Sequence, residues 1–425
     1  MDELAGEGLL DARSTHHSAV PVSSPFTSFR IEVTPNIGDF SDCWPTTASP
    51  GKAHCYPFQY GDLLRIWCET IGRARGIEPV FAAVTLADGT PALLLPFCIE
   101  RTGTVTVLRF PDCGVSDYNA PVVFPAASAL PDIDTVWSRL VTSLPPFDLA
   151  VLDKMPATID GIRNPFAALA TENHPESGHG VTLSGPWEEF AKNRLPRWRD
   201  SRRCLRNLEK LGTVRFQIAR DRRERAEFLD ALFHQKQRRF EETMAIDLFE
   251  HPGVTDFYRR TTQGRGGKAV VSALTLDGRV LAANWGLLSG DHYFDLMTSN
   301  EGGEFRTYAP GRLLNEWLLQ WCIEQGIRVS DFGIGDEAYK FRYCDVHTPL
   351  HDAYIPVTLR GTLYARAMRV HTAAKQALRD TMIGTAIKAA RSKIQKFTAI
   401  RPAKTSPHLP AWVALIGSVS LAIDG

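Results

Sequence analysis

The sequence predicts an α/β protein made of two related domains and a basic helical tail. Each domain is expected to be a mixed, largely antiparallel sheet flanked by helices. Three observations carry this. The chain has 425 residues, more than one hydrophobic core serves. Two apolar hairpin patterns, each turning on Asp-Gly, recur about 190 residues apart. The later copy runs strand, strand, strand, helix, strand, with turn residues at each junction.

Met1 to Ser28 is acidic and then small and polar, with neither a basic start nor an apolar stretch. It reads as a disordered N-terminus rather than a signal peptide. A first domain is expected over 29–152. From Tyr60 to Gly76, Leu63, Leu64, Ile66, Trp67 and Ile71 share one helix face. Pro79 to Gly89 and Thr90 to Phe97 form the first hairpin around Asp88-Gly89, Thr104 to Phe110 a further strand, and Gly114 to Pro121 a turn beyond it. Asp153 to Gly185, rich in Pro, Gly, Ser, Thr and Asn, reads as a linker or loop wrapping the domains together.

A second domain is expected over 186–360. It opens with the most basic stretch of the chain, thirteen Lys and Arg between Lys192 and Arg225. Within it Trp198, Leu205, Leu208 and Leu211 make a narrow apolar stripe that Gly212 ends. Such a helix either presents a solvated face or steers an anionic ligand. Lys268 to Gly278 and Arg279 to Leu288 form the second hairpin, and His292 to Ser299 a third strand. The turn Arg306-Thr-Tyr-Ala-Pro-Gly311 then opens an apolar-periodic helix from Arg312 to Gln325, with Gly326 as its cap. Pro310 lacks an N–H and presets a first helical turn, and Gly311 lets the backbone approach a ligand. The free amides that follow suit a phosphate. Val329 to Asp336 is a strand that stops abruptly in Gly333 and Gly335, leading to Tyr339-Lys340.

Three segments together resemble the GNAT acyltransferase superfamily, and more narrowly its CelD-type or FemAB-like branch of tandem GNAT domains. They are the basic helix Arg199 to Gly212, Ala309-Pro-Gly-Arg-Leu-Leu314, and Asp331-Phe-Gly-Ile-Gly-Asp-Glu-Ala-Tyr-Lys340. The resemblance spans roughly residues 185–360. It departs from the superfamily pattern at Ala309, where glycine is frequent, and Pro310 takes the variable place. It implies a degenerate, non-catalytic first domain that shapes an acceptor cleft, since no phosphate-type turn is found there. It also implies acetyl-CoA or another acyl-CoA as co-substrate, with Arg306, Ala309, Pro310, Gly311 and Arg312 around the pyrophosphate. Backbone amides within Phe294 to Ser299 would polarise the carbonyl, and the Lys340 ammonium would stabilise the oxyanion. The acceptor implied is a small molecule or saccharide, an amine or hydroxyl of an envelope or exopolysaccharide precursor, acylated by direct transfer.

The residues themselves supply candidates for the proton route. Asp295 lies on the strand beside the expected carbonyl site. Asp331 either serves as a base or caps the amides of its Gly-rich loop. Tyr339 is placed to protonate a departing thiolate or to pack. Two further readings stand beside acyl-CoA transfer: an aminoacyl-tRNA donor on the same fold, and a non-catalytic binding protein.

Lys plus Arg equal Asp plus Glu at 48 each, so no global field points to DNA, and a tRNA partner is disfavoured though two basic segments leave room for it. Eight scattered cysteines, with no Cys-x-x-Cys and no His cluster at metal spacing, predict reduced thiols, no metal and a cytoplasmic setting. Residues 361–425 form the basic tail. Arg360 to Lys404 holds eleven basic residues against Asp380, with apolar residues at helical spacing, which leaves open peripheral contact at the inner face of a membrane.

Overall fold

The computed structural model describes residues 28–49, 51–243, 247–264 and 269–380. The N-terminus expected to be disordered and most of the basic tail lie outside the described residues.

In chain order the strands that matter are β1 (Phe29–Thr34), β2 (Glu78–Leu86), β3 (Pro91–Thr102), β4 (Val105–Arg109) and β5 (Leu149–Pro156) in the first half, then β6 (Gly178–Thr182). The second half has β7 (Val214–Ile218), β8 (Ala269–Leu276), β9 (Arg279–Ser289), β10 (His292–Asn300), β11 (Val329–Ile334), β12 (Val346–Thr348) and β13 (Leu350–Pro356). The principal helices are α1 (Gly61–Trp67), α2 (Ile133–Ser143), α3 (Trp198–Glu209), α4 (Arg222–Thr243), α5 (Val254–Gln263), α6 (Pro310–Glu324) and α7 (Leu359–Asp380).

The two sheets repeat one plan. In the first, β1 to β4 pair antiparallel in sequence and β5 joins β4 in parallel. In the second, β7 to β10 do the same and β11 joins β10 in parallel. The hairpin β2–β3 and the hairpin β8–β9 therefore hold the same second and third places, as the repeated Asp-Gly pattern predicts. Helix α2, whose Asp132 N-cap accepts from the Thr135 amide at 2.9 Å, stands before β5 as α6 stands before β11.

Beyond the fifth place the halves exchange strands. β6, which follows the first half in the chain, pairs with β11 of the second sheet. β13, from the end of the second half, pairs with β5 of the first. The stretch 153–185 is therefore not a connecting loop alone: it completes β5 and supplies a strand to the second sheet. Likewise residues 350–356, expected in the second domain, belong to the first sheet. Segments 178–182 and 350–356 are both short, and nothing in either names its partner.

Packing ties the halves further. β2 turns Val80, Ala82 and Val84 toward the cluster under α2, and Phe81 and Ala83 toward a second cluster. That second cluster also takes Leu63, Leu64 and Trp67 of α1, Phe228, Leu232 and Phe233 of α4, and Ala283, Trp285 and Leu287 of β9. One core thus lies between the sheets. A third, containing Leu281, Tyr293, Leu314, Leu318 and Cys322, lies under α6. No helix among the described residues is long and apolar enough to cross a membrane.

The exchange makes a prediction. A fragment 186–360 lacks β6, which exposes the β11 edge, and carries β13 without its β5 partner. Expressed alone it should be aggregated or lack cooperative melting, whereas a fragment that keeps both halves and β6, such as 28–380, should melt in one transition. A monomeric, cooperatively folded 186–360 would show that the exchange is dispensable.

Candidate active site

The site forms where β10 and β11 part. Their parallel pairing covers only His292–Val329, Tyr293–Ser330 and Phe294–Asp331. β10 then carries a bulge: Trp285 faces Met297 and Gly286 faces Asp295, leaving Leu296 as the extra residue. The two strands diverge from there, and α6 begins opposite the gap. A cavity of about 310 Å³ occupies the wedge, lined by Thr298 and Asn300 of β10, Gly311, Arg312 and Asn315 of α6, Phe332 of β11, and Tyr339 and Tyr343.

The α6 entrance is built as the sequence predicts. Ala309 takes a left-handed φ of 50° and Pro310 is the first helical residue. A Cβ at Gly311 would stand 3.2 Å from Asn300 Oδ1, so a larger side chain would enter the cavity. The amides of this first turn have no acceptor within the helix. The two guanidiniums differ from expectation. Arg312 does line the cavity but donates to Asp200 at 2.8 Å, which holds that carboxyl below its ordinary range. Arg306 lies on the preceding turn, Gly303–Tyr308, outside the cavity lining, and pairs with Glu242. The α6 entrance therefore offers the cavity backbone amides and Arg312, and Arg306 lies outside the cavity lining.

Asp295 faces the α6 side. It accepts from Asn284 and from Thr298 (3.1 Å), and Thr298 reaches Asn315 at 3.3 Å in the cavity wall. Burial pushes its carboxyl up to about 6, against those hydrogen bonds and the Lys340 charge. Asp331 faces the first half. It accepts from the Gly333 amide at 2.7 Å and from the Tyr118 hydroxyl at 2.9 Å, and burial pushes it up to about 7. Asp331 thus caps its Gly-rich loop and is also a carboxyl that titrates near neutrality.

Lys340 is 3% exposed. Its ammonium donates to the carbonyls of Ile334 (2.8 Å) and Gly333 (3.3 Å) and pairs with Glu337 at 3.1 Å. An ammonium has three N–H groups, and three acceptors already meet them. Through these contacts Lys340 pins the end of β11. Tyr339 lines the cavity half-exposed, and burial beside Asp295 raises its phenol, so the proton stays on oxygen at neutral pH. Asp336 turns away to His179 at 2.8 Å.

The first half reaches into this site through the turn read as Gly114 to Pro121. Asp117 accepts from the Ile334 amide at 3.1 Å, and Tyr118 donates to Asp331. Gly333 has φ 69°, and a Cβ there would fall 2.0 Å from Asp117 Oδ2, so this contact needs glycine. Lys154 holds the turn from below, donating to Asp112 at 2.7 Å and to the Ser116 carbonyl at 2.9 Å. From α4, Lys236 completes the group; burial lowers its pKa, against the charges of Asp295 and Glu337. Asp117, Tyr118 and Lys236 escape sequence reasoning. Lys236 leaves a trace: it follows Leu229, Leu232 and Phe233 and precedes Phe240 on the apolar face of α4, where a lysine is out of place.

The sequence model of the family described as acetyltransferase (GNAT) domain matches residues 197–341. No curated protein matches the chain. Among solved structures, FemX is similar at 12% identity and TM-score 0.50, over 73% of this chain and 94% of its own. A tandem GNAT protein from the clavulanic acid biosynthesis pathway is similar at 12% identity and TM-score 0.40, over 77% and 98%. So is the C-terminal domain of a putative lysylphosphatidylglycerol synthetase from Agrobacterium fabrum, at 12% identity and TM-score 0.45, over 73% and 96%. Residues 197–341 are thus a GNAT domain, and the chain has the FemAB-like tandem fold read from its motifs.

Proposed function

We propose that this protein is an acyl-CoA-dependent acyltransferase, with acetyl-CoA the simplest donor, acting on an amine or hydroxyl by direct transfer. One observation carries the reading: the 310 Å³ cavity opens at the unpaired first turn of α6, in the wedge between β10 and β11. A pyrophosphate meets the helix amides there and the pantetheine arm follows the wedge toward the bulge of β10. The Leu296 amide region would polarise the thioester, Tyr339 would protonate the leaving thiolate, and Asp331 would take the acceptor's proton. The acceptor enters from the face of β10 turned to the first half. The resemblance stated above supports a saccharide or envelope precursor as its larger part.

Gly311→Asp places a carboxylate among the cradle amides. Acetyl-CoA binding measured by calorimetry should fall by at least about 10²-fold, the loss of one or two charge-assisted hydrogen bonds plus repulsion. Parent-like affinity in a folded variant would mean that the donor site is misplaced.

A second donor reading has its own observation. α3 presents Arg199, Arg202, Arg203 and Arg206 on its exposed face, and its Asp200 accepts from Arg312 of the cavity wall. An aminoacyl-tRNA could lay its backbone there. Parallel titrations with acetyl-CoA and with aminoacyl-tRNA separate the two donors; binding of neither would favour a non-catalytic protein.

A further inference from the structure

We propose that the outward face of α7 docks the protein onto an anionic lipid surface, with Leu359, Leu363 and Val370 entering the headgroup boundary and Arg360 and Arg366 meeting lipid phosphates. The inference stands apart from the choice of donor or acceptor at the transfer site.

The helix is apolar on two opposite sides. One side is spent on the fold: Ala365 is buried against Val105 and Val107 of β4 and Leu149 and Val151 of β5, with Tyr364 and Met368 packed beside it. The start of the helix is fastened to the same sheet. The Val357 and Thr358 amides donate to the Asp148 carbonyl at 2.9 and 3.2 Å. The Thr358 hydroxyl donates to the Asp148 carboxylate at 2.6 Å and accepts from the Gly361 amide at 3.1 Å. A Cβ at Gly361 would strike the Asp148 carbonyl, so the helix runs close against the sheet there. The other side is left bare. At about 100° per residue, Leu359, Leu363, Ala367 and Val370 fall within a quarter of the circumference, opposite Gly361, Ala365 and Met368. Leu359 is 76% exposed, Leu363 58% and Val370 69%. Single exposed apolar side chains are ordinary, but half of the large ones exposed among the described residues stand here, Val357 included.

Charge decides what covers this face. Arg360 and Arg366 flank the stripe, one on each side, and from Val357 to Arg379 the sequence holds no Asp or Glu. Two carboxylates at the helix margins are occupied: Glu172 pairs with Arg369 at 3.9 Å, and Asp148 accepts from Thr106 and Thr358. A second copy joined through the same face would set these arginines against themselves. The chain after Asp380 suits the face no better, since 381–404 carries six Lys and Arg and no acid. An anionic bilayer satisfies both features: its hydrocarbon takes the aliphatic stripe, and its phosphates take the arginines that border it. A nucleic acid would use the arginines and leave the leucines in water. The helix lies along the boundary; among the described residues none is long and apolar enough to cross.

The test sediments the full chain with vesicles of phosphatidylcholine alone and of equal parts phosphatidylcholine and phosphatidylglycerol. The protein should sediment with the anionic vesicles and not with the neutral ones, and raising salt from about 0.1 M to about 1 M should weaken binding. Arg360→Gln combined with Arg366→Gln should lower the partition coefficient about 25-fold, about fivefold for each charge. Leu359→Ser combined with Leu363→Ser and Val370→Ser should lower it by at least about tenfold. All five side chains are exposed, so both variants should keep the parent's melting temperature. Binding that the serine variant leaves unchanged would assign the contact to residues beyond 380 and end the proposal for α7. A parent that sediments with neither vesicle would also end it. Transfer RNA binding lost in the glutamine variant alone would then make the face a nucleic-acid surface, and a concentration-dependent dimer lost in the serine variant would make it a contact between copies.

Discussion

Lys340→Met should lower both the melting temperature and the activity at neutral pH, and much of the activity should return as pH is raised. The substitution leaves the Gly333 and Ile334 carbonyls without their donor in a buried place, at about 1–3 kcal/mol for each group stranded. It also removes a cation that holds the Asp295 and Asp331 carboxyls down against burial. Both would then titrate higher. Each unit of upward shift costs roughly tenfold in the carboxylate form below the new pKa, and that loss vanishes above it. An ammonium acting on the oxyanion would behave otherwise, lowering kcat by roughly 10²–10³-fold at every pH. A pH profile of kcat/KM, with thermal melting on the same preparation, decides between them. A flat loss across pH with an unchanged melting temperature would restore Lys340 to the reacting carbonyl.

The divergence between sequence and structure follows from what a sequence encodes locally. Apolar periodicity with Asp-Gly between two runs is a local signal, and both hairpins stand where Pro79 to Phe97 and the residues up to Gly286 place them. The α6 entrance was legible for the same reason: Pro310 and Gly311 act through their own backbone preferences. Strand exchange is not local. Gly178–Thr182 and Leu350–Pro356 each show an edge that any sheet could accept, and only the three-dimensional closure decides which one does. Lys340 marks another boundary. Its motif is visible, yet whether an ammonium faces solvent, substrate or two carbonyls depends on where the Gly333–Ile334 backbone turns. Asp117 was the hardest to see, because a carboxylate in a turn is ordinary and becomes significant only when it meets the Ile334 amide of the other half.

Asp331→Asn should abolish most turnover while making the protein no less stable above neutral pH. In the parent, burial lifts this carboxyl to about 7, from an ordinary value near ~3.9. The folded state therefore holds the proton more tightly than the unfolded one. The stability this gives is fully present below the ordinary pKa and is lost as pH rises through about 7. As a base, however, the group works only when deprotonated, so kcat/KM should climb through the same window and level off above it. Asparagine keeps an oxygen for the Gly333 amide and a polar partner for the Tyr118 hydroxyl, but carries no charge to bury and no basic lone pair. The expected result is a turnover loss of about 10²–10⁴-fold, disappearance of the pH-dependent climb, and a melting temperature at pH 8 equal to or above the parent's. Tyr118→Phe provides the sign check. Its hydroxyl lowers the Asp331 pKa, so its removal should move the climb to higher pH without abolishing it. If Asp331→Asn keeps the climb, proton removal belongs to another carboxyl, and Asp295, pushed up to about 6 on the opposite face of β10, is the one to replace next.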